Sequence, residues 1–393
     1  TPGYAPAQEL LAKFRFMRGD ERFADSLAAA VREQPANAAL QLAYAQVLHG
    51  ANLVDEARDA LQSALQHLPA DPRLLCTLAT VHQEAGDFGQ ALASARAAAT
   101  AAPADPAFAD YVIDALMSLG RADEALPIIR AGRERQPLHQ WYIAIEATAA
   151  RLLGDPLYEE LCDYARMVQC FDLDAPQGWQ NMEDFHADLL TVLRDRHRFQ
   201  AHPLDRSLRH GTQTPRNLLG DPDPVIQAFI RAVHQPIDEY RASLGRDPGH
   251  PLRARNHGAT RLSGCWSVCL QRGGFHVNHI HSAGWISSAY YVEVPEETAD
   301  PGRQCGWIKF GEPRYPVPGA TVERTVQPLP GRLVLFPSYF WHGTTPLQHD
   351  TPRMTLAFDA VASTSSAFLL FPGRFSPADI AQITKSNSRD RHK

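Results

Sequence analysis

Apolar and polar positions follow two different rhythms along this chain. Up to about residue 155 the apolar positions are mostly Ala and Leu at helical spacing, and they return with a fixed period. Prolines at 35, 69, 103 and 137 lie 34 positions apart, and Ala57, Ala91 and Ala125 keep the same interval. The phrases Leu48-His-Gly-Ala-Asn-Leu-Val-Asp-Glu-Ala57, Gln83-Glu-Ala-Gly-Asp-Phe-Gly-Gln-Ala91 and Ser118-Leu-Gly-Arg-Ala-Asp-Glu-Ala125 recur around them. Such a unit, with a small residue at each helix crossing and a proline at its close, predicts stacked helical hairpins. Between 156 and 250 the period is lost, although helices are still predicted over 158–168, 179–194 and 224–244. Val225, Ile226, Phe229, Ile230, Val233, Ile237 and Tyr240 form one stripe of helical period. Beyond 250 the runs become short, β-rich and punctuated by Gly and Pro, at 262–270, 284–294, 306–310, 321–326, 332–336 and 354–361. Many short strands suggest a double-sheet jelly roll or cupin-like barrel, and the stretch after Pro372 reads as a helix fraying into polar residues.

The expected fold class is therefore α+β multidomain, an all-α solenoid followed by the barrel with flanking helices. Its divisions are 1–155 for the repeats, 156–250 for a helical linker and barrel-flanking helices, 251–375 for the barrel and 376–393 for a partly disordered tail. The repeated unit resembles the tetratricopeptide repeat over roughly four copies. A hairpin of that kind cannot bury its apolar face alone, so copies stack into a solenoid with a concave groove. That groove implies a peptide or protein partner, bracing of the second domain, or a homodimer.

Composition narrows the class. At 393 residues the chain suits two cores. A net charge of -6 gives no reason to expect nucleic acid, and no run approaches the roughly 20 apolar residues of a membrane span. Six cysteines without CxxC spacing argue against a zinc ribbon or a disulfide scaffold. The opening Thr-Pro-Gly-Tyr-Ala-Pro shows no secretory leader pattern. Together these predict a cytoplasmic protein.

The chemistry concentrates in Gly274-Phe-His-Val-Asn-His-Ile-His281 and Pro337-Ser-Tyr-Phe-Trp-His342-Gly. Residues i and i+2 of a strand share a face, so His279 and His281 can grip one ion while His342 arrives from a distant strand. Imidazoles with open positions suit Fe(II), whose usual third ligand is a carboxylate. Here the position that would carry it is His281. Arg353 follows His342 by 11 residues, with Thr355 on the same side of its strand; its planar fork matches a carboxylate in two parallel hydrogen bonds. His139, His186, His210 and His349 have no partner pattern and are assigned nothing.

About residues 205–362 resemble the Fe(II)- and 2-oxoglutarate-dependent oxygenases, in particular a bacterial group often fused to tetratricopeptide repeats. The resemblance rests on Gly274-Phe-His-Val-Asn-His-Ile-His-Ser-Ala-Gly-Trp-Ile-Ser-Ser-Ala-Tyr-Tyr-Val292, Gly306-Trp-Ile-Lys-Phe-Gly311 and Pro330-Gly-Arg-Leu-Val-Leu-Phe-Pro-Ser-Tyr-Phe-Trp-His-Gly343. It implies a double-stranded β-helix, with His279 as first ligand, His342 as distal ligand and Arg353 paired with the far carboxylate of 2-oxoglutarate. Thr355 and one of Tyr290 or Tyr291 would supply hydroxyls to that carboxylate. Gln271, Trp266, Asn278 and Ser288 are further pocket candidates. Trp285, Trp307 and Trp341 are candidates for a substrate wall or for packing, the commoner role of aromatic residues on strands. The third ligand stays open among His281, water and His276, with His281 favoured. Fe(II), 2-oxoglutarate and O2 are the implied cofactors, with ascorbate a candidate reductant. The implied reaction hydroxylates an unactivated carbon and yields succinate and CO2. A peptide or protein side chain is the favoured substrate, a small molecule the alternative. A cupin-type enzyme without 2-oxoglutarate and a non-catalytic scaffold are the rival classes.

Overall fold

The computed structural model describes residues 3–363; the tail expected after Pro372 lies outside them. Nine helices form the solenoid: α1 (Ala5–Met17), α2 (Asp25–Glu33), α3 (Ala38–Gly50), α4 (Val54–His67), α5 (Pro72–Glu84), α6 (Phe88–Ala101), α7 (Ala109–Ser118), α8 (Ala122–Arg135) and α9 (Gln140–Leu153). Each of the four periodic prolines falls between the second helix of one hairpin and the first of the next. The alanines that keep the period are completely enclosed: Ala57 and Ala125 are 0% exposed and Ala91 1%. Side-chain caps start several helices. Asp71 accepts from the amides of Arg73 and Leu74 ahead of Pro72, an arrangement that typically stabilises a helix by about 1 kcal/mol.

The middle segment carries α10 (Leu157–Leu161), α11 (Tyr164–Met167), α12 (Met182–Arg196), α13 (Pro224–Ala232) and α14 (His234–Leu244). Two helices expected to be continuous are broken. Asp163 accepts from the Arg166 amide and begins a new turn. Pro236 cannot donate to the carbonyl of Ala232, and the preceding helix ends there. The segment is also less helical than its pattern suggests, since it supplies both edges of the main sheet.

The strands are β1 (Gln169–Asp172), β2 (Leu208–Gln213), β3 (Thr260–His276), β4 (Ile286–Glu293), β5 (Ile308–Phe310), β6 (Arg324–Val326), β7 (Arg332–Pro337), β8 (His342–Thr344) and β9 (Arg353–Ala362). They form a six-stranded antiparallel sheet in the order β1-β7-β4-β9-β3-β2 and a three-stranded antiparallel sheet in the order β6-β5-β8. The expected double-stranded β-helix thus takes the form of two sheets face to face, without a closed hydrogen-bonded barrel among the described residues. β1 and β2 were not visible as strands, being short and of mixed polarity, and β8 was expected only as the distant strand that carries His342. On the outer face of the large sheet, Tyr290 meets the ring of Phe229 on α13 at 4.9 Å. On the inner face, Phe336 meets Phe310 of the small sheet at 5.0 Å.

One core runs from Ala79 on α5 through α9 to Ala360 on β9, so the last repeats and the sheets share their interior. The sheet domain docks along the C-terminal ends of the first helix of each hairpin. Arg314 pairs with Glu84 at 3.0 Å, Arg151 pairs with Glu323 at 2.9 Å, and the Trp341 indole donates to Thr148 at 3.2 Å. Gly50 lies directly against Leu204, where a β-carbon would collide with its backbone. No helix among the described residues is long and apolar enough to cross a membrane, and none of the six cysteines is in a disulfide.

Candidate metal centre and carboxylate pocket

β3 continues into an extended segment that leaves the large sheet and bridges to the small one. The amide of His279 donates to the His342 carbonyl at 2.8 Å, and the amide of His342 returns a bond to the His279 carbonyl at 3.0 Å. This two-way bridge brings together residues 63 positions apart in sequence. His281 is anchored in the same way, its amide donating to the Ser338 carbonyl at 2.9 Å. Gly343 follows His342 because its α-carbon packs against Asn278 and the His276 carbonyl, leaving no room for a side chain.

The rings of His279, His281 and His342 converge, with one nitrogen of each lying within 4.8 Å of the others. The opposite nitrogen of every ring is engaged. His279 Nδ1 faces the Val277 carbonyl at 2.8 Å, His342 Nδ1 the Phe340 carbonyl at 2.9 Å and His281 Nδ1 the Asp359 carboxylate at 2.5 Å. Carbonyl acceptors require a proton on Nδ1, which leaves the Nε2 lone pair free. The Nε2 atoms of His279 and His281 stand 3.3 Å apart. Burial, reinforced by the neighbouring His281, pulls His279 down to about 3. Burial, then His279, holds His342 well below the ordinary histidine range. His279 and His342 are therefore neutral near pH 7, the state in which imidazole binds a metal.

His276 lies beside the cluster without joining it. Its Nδ1 faces Ser207 Oγ at 3.0 Å, and that hydroxyl is also 3.3 Å from His279 Nε2. Asp359, which the sequence reading missed, accepts from the Ser287 hydroxyl at 2.7 Å as well as facing His281. A signal for it existed: it shares odd parity with Arg353 and Thr355 on one strand, and hence their face.

The inner face of the large sheet carries a second cluster. β9 presents Arg353, Thr355 and Asp359, while β4 presents Ser287 and Tyr291, with Tyr291 directly opposite Thr355. Arg353 is 2% exposed, and its guanidinium lies 5.6 Å from the Tyr291 ring centre. Its Nη1 donates to the Gly306 carbonyl. Its Nε and the Tyr291 hydroxyl are buried with no hydrogen-bond partner among the described residues. Orphaned buried donors are costly, and two of them beside one another fit a carboxylate. Burial lowers the Arg353 pKa, with the neighbouring Tyr291 opposing it, and burial raises that of Tyr291 to about 12.

Other candidates go elsewhere. Tyr290 and Ser288 are on the opposite face by strict alternation: Tyr290 bonds His186 of α12 at 2.7 Å, and Ser288 is satisfied by the Phe358 backbone. Gln271 is exposed and lines a separate cleft. Thr355 has only a long contact, 3.4 Å, to the Val268 carbonyl. Trp266 lies against His281 at 5.7 Å. Asn278 donates to Glu312 and to the Pro313 carbonyl. Trp285 and Trp307 direct their indole N–H groups to the Leu252 and Thr298 carbonyls, and Trp341 anchors the solenoid. These contacts fit the packing reading of the three tryptophans.

Comparison with known families agrees with this picture. Residues 264–359 match the family described as "Putative 2OG-Fe(II) oxygenase", and residues 10–72 and 76–139 match the tetratricopeptide repeat. The chain thus carries an N-terminal repeat region and a C-terminal oxygenase domain. Among solved structures it is similar to a Pseudomonas putida prolyl-4-hydroxylase, at 13% identity over 51% of this chain and 96% of that one, with a TM-score of 0.34. It is also similar to MamA, at 12% identity over 39% and 85% of the two chains with a TM-score of 0.34. A third is YrrB, a tetratricopeptide repeat protein with an unusual peptide-binding site, at 20% identity over 39% and 77% with a TM-score of 0.33. No curated protein matches.

Proposed function

We propose that this chain is an Fe(II)- and 2-oxoglutarate-dependent dioxygenase that hydroxylates an unactivated carbon, with succinate and CO2 as coproducts. The reading rests on one juxtaposition: three imidazoles oriented with their Nε2 atoms inward, and a buried guanidinium and phenol with unpartnered donors on the inner face of the same sheet. His279, His281 and His342 would hold the iron; Arg353 and Tyr291, with Thr355, would hold the far carboxylate of 2-oxoglutarate. When bound, the iron and its cosubstrate supply the oxidising power, using O2. The chain's own contribution is positional. Asp359 keeps a proton on His281 Nδ1 and fixes that ring, a device that matters for metal affinity. The rings of Phe336 and Phe310, 4.7 and 6.3 Å from His342, limit water around the cluster.

For the substrate, a peptide or protein side chain remains the first reading, because repeats of this family suggest protein or peptide recognition. A small molecule is the second, favoured by a cleft of about 790 Å³ between the solenoid turns and β2–β3, a size ordinary for small ligands. The test is to load the purified protein with Fe(II) anaerobically, add 2-oxoglutarate and ascorbate, admit O2 and measure succinate. A cupin-type enzyme gives none, and a scaffold is indifferent to His342→Ala. Host peptides and metabolite pools added to the active protein are then searched by mass spectrometry for a one-oxygen gain. Self-association through the repeats is a further proposal, checked by sedimentation.

A further inference from the structure

We propose that the cleft between the solenoid turns and β2–β3 is a substrate subsite for a carboxylate attached to an apolar body, with the Arg209 guanidinium as its anchor. This deepens the oxygenase reading and rests on it.

Both domains build the cleft. One wall is the turns after α3 and α5, the other is β2, β3 and the 314–316 loop. Three arginines line it, Arg209, Arg272 and Arg314, against a single carboxylate, Glu84. That carboxylate is already held by Arg314 at 3.0 Å and by His49 at 2.7 Å. Arg209 differs from its neighbours. Its Nη1 donates to the carbonyls of Arg206 and Leu208 at 2.8 and 2.9 Å, and no carboxylate pairs with it among the described residues. Burial lowers its pKa, the Glu84 charge opposes that and the Arg314 charge adds to it. A half-buried guanidinium that no carboxylate hydrogen-bonds among the described residues, in a cavity large enough for a ligand, favours an anion of matching fork geometry. Phe88, Phe275 and Val277 supply apolar wall, which selects for a hydrocarbon body beside the charge.

The cleft also borders the metal centre. Arg209 pairs with Phe275 and Leu208 with His276 across β2–β3. Ser207, two residues before Arg209, touches both His276 and His279, and the Val277 carbonyl that lines up His279 belongs to a cleft residue. A carboxylate on Arg209 would hold the rest of a molecule next to the imidazole cluster. The carboxylate could be that of a small acid or of a glutamate in a peptide, and the two are separable.

The test uses the full chain without metal or 2-oxoglutarate, so it does not depend on turnover. Binding of N-acetyl-L-phenylalanine is compared with that of its neutral amide, and acetyl-Ala-Phe-Glu-Ala-amide with its Gln counterpart, by ligand-observed NMR titration. At least one acid should bind roughly tenfold or more tightly than its neutral partner. Arg209→Gln should remove that preference, Arg209→Lys should retain part of it, and Arg353→Gln should leave it intact; circular dichroism checks folding of each. Which acid binds identifies the source of the carboxylate. The proposal is overturned if neither acid is preferred, if Arg209→Gln keeps the preference, or if Arg353→Gln abolishes it. Succinate formation tests the oxygenase reading separately, so each idea can fail alone.

Discussion

The imidazole cluster, bridged to the small sheet, and the guanidinium pocket, on the inner face of the large one, are prepared in opposite ways. Around the imidazoles, every Nδ1 has a protein partner, and the other ring nitrogens converge on one another. Around Arg353, a donor and a phenol are left without an acceptor among the described residues. The first arrangement is complete by itself and awaits a cation; the second is unsatisfied and becomes satisfied only with an anion. Losing a group should therefore impair the first chiefly through metal affinity, and the second through cosubstrate affinity.

The largest expected effect is from His342→Ala, which removes a proposed ligand outright. Turnover should vanish, and Co(II) titration followed by absorbance should show a loss of affinity beyond the roughly 10–100-fold typical of outer partners. Next comes Arg353→Gln, whose KM for 2-oxoglutarate should rise on the order of 10–100-fold with a smaller change in kcat. In the same comparison 2-oxoglutarate should raise the Tm of the parent protein but not that of Arg353→Gln. An equal effect of both variants on metal titration would erase the distinction between the two sites. Asp359→Asn should fold normally and lose about 10–100-fold in metal affinity, since His281 keeps a partner but loses its anionic one.

Acid should act through the outer face too. Burial pulls His186 and His197 down to about 4, so both are neutral in the folded protein near pH 7. The unfolded chain takes up their protons near the ordinary value of 6.5. Unfolded molecules then bind more protons, and stability falls as pH drops from about 6.5 towards 4. Urea denaturation at stepped pH checks this, and His186→Gln should flatten the dependence. The smallest effect separates adjacent tyrosines. Tyr291→Phe should raise the KM for 2-oxoglutarate several-fold, roughly the worth of one hydrogen bond. Tyr290→Phe should leave KM unchanged and cost about 1 kcal/mol of stability through its lost bond to His186.

Much of the site was legible because its chemistry follows strand parity. The His279 and His281 pair, His342, and Arg353 with Thr355 are readable from residue type and spacing, and the structure brings the three histidines into one cluster. Parity could also have paired Asp359 with Arg353, but nothing in a lone aspartate says that it faces an imidazole. Tyr290 and Tyr291 were indistinguishable in advance, since parity says that they differ without saying which face is inside. Ser288 was a candidate for the same reason, and it lies with Tyr290. Cleft residues such as Arg209 carried no local pattern at all.

The repeats, the two-part architecture and the candidate metal-ligand chemistry were determined by the chain itself, because periodicity and side-chain type are local properties. Tertiary structure alone decided that β1 and β2 close the sheet edges, that Asp359 stands behind His281, and that the solenoid and the sheets share one core. Those outcomes depend on contacts between segments distant in sequence, which no local pattern encodes. The His279–His342 backbone bridge shows this most directly: each residue was recognisable as a candidate ligand, but only the fold could set them side by side.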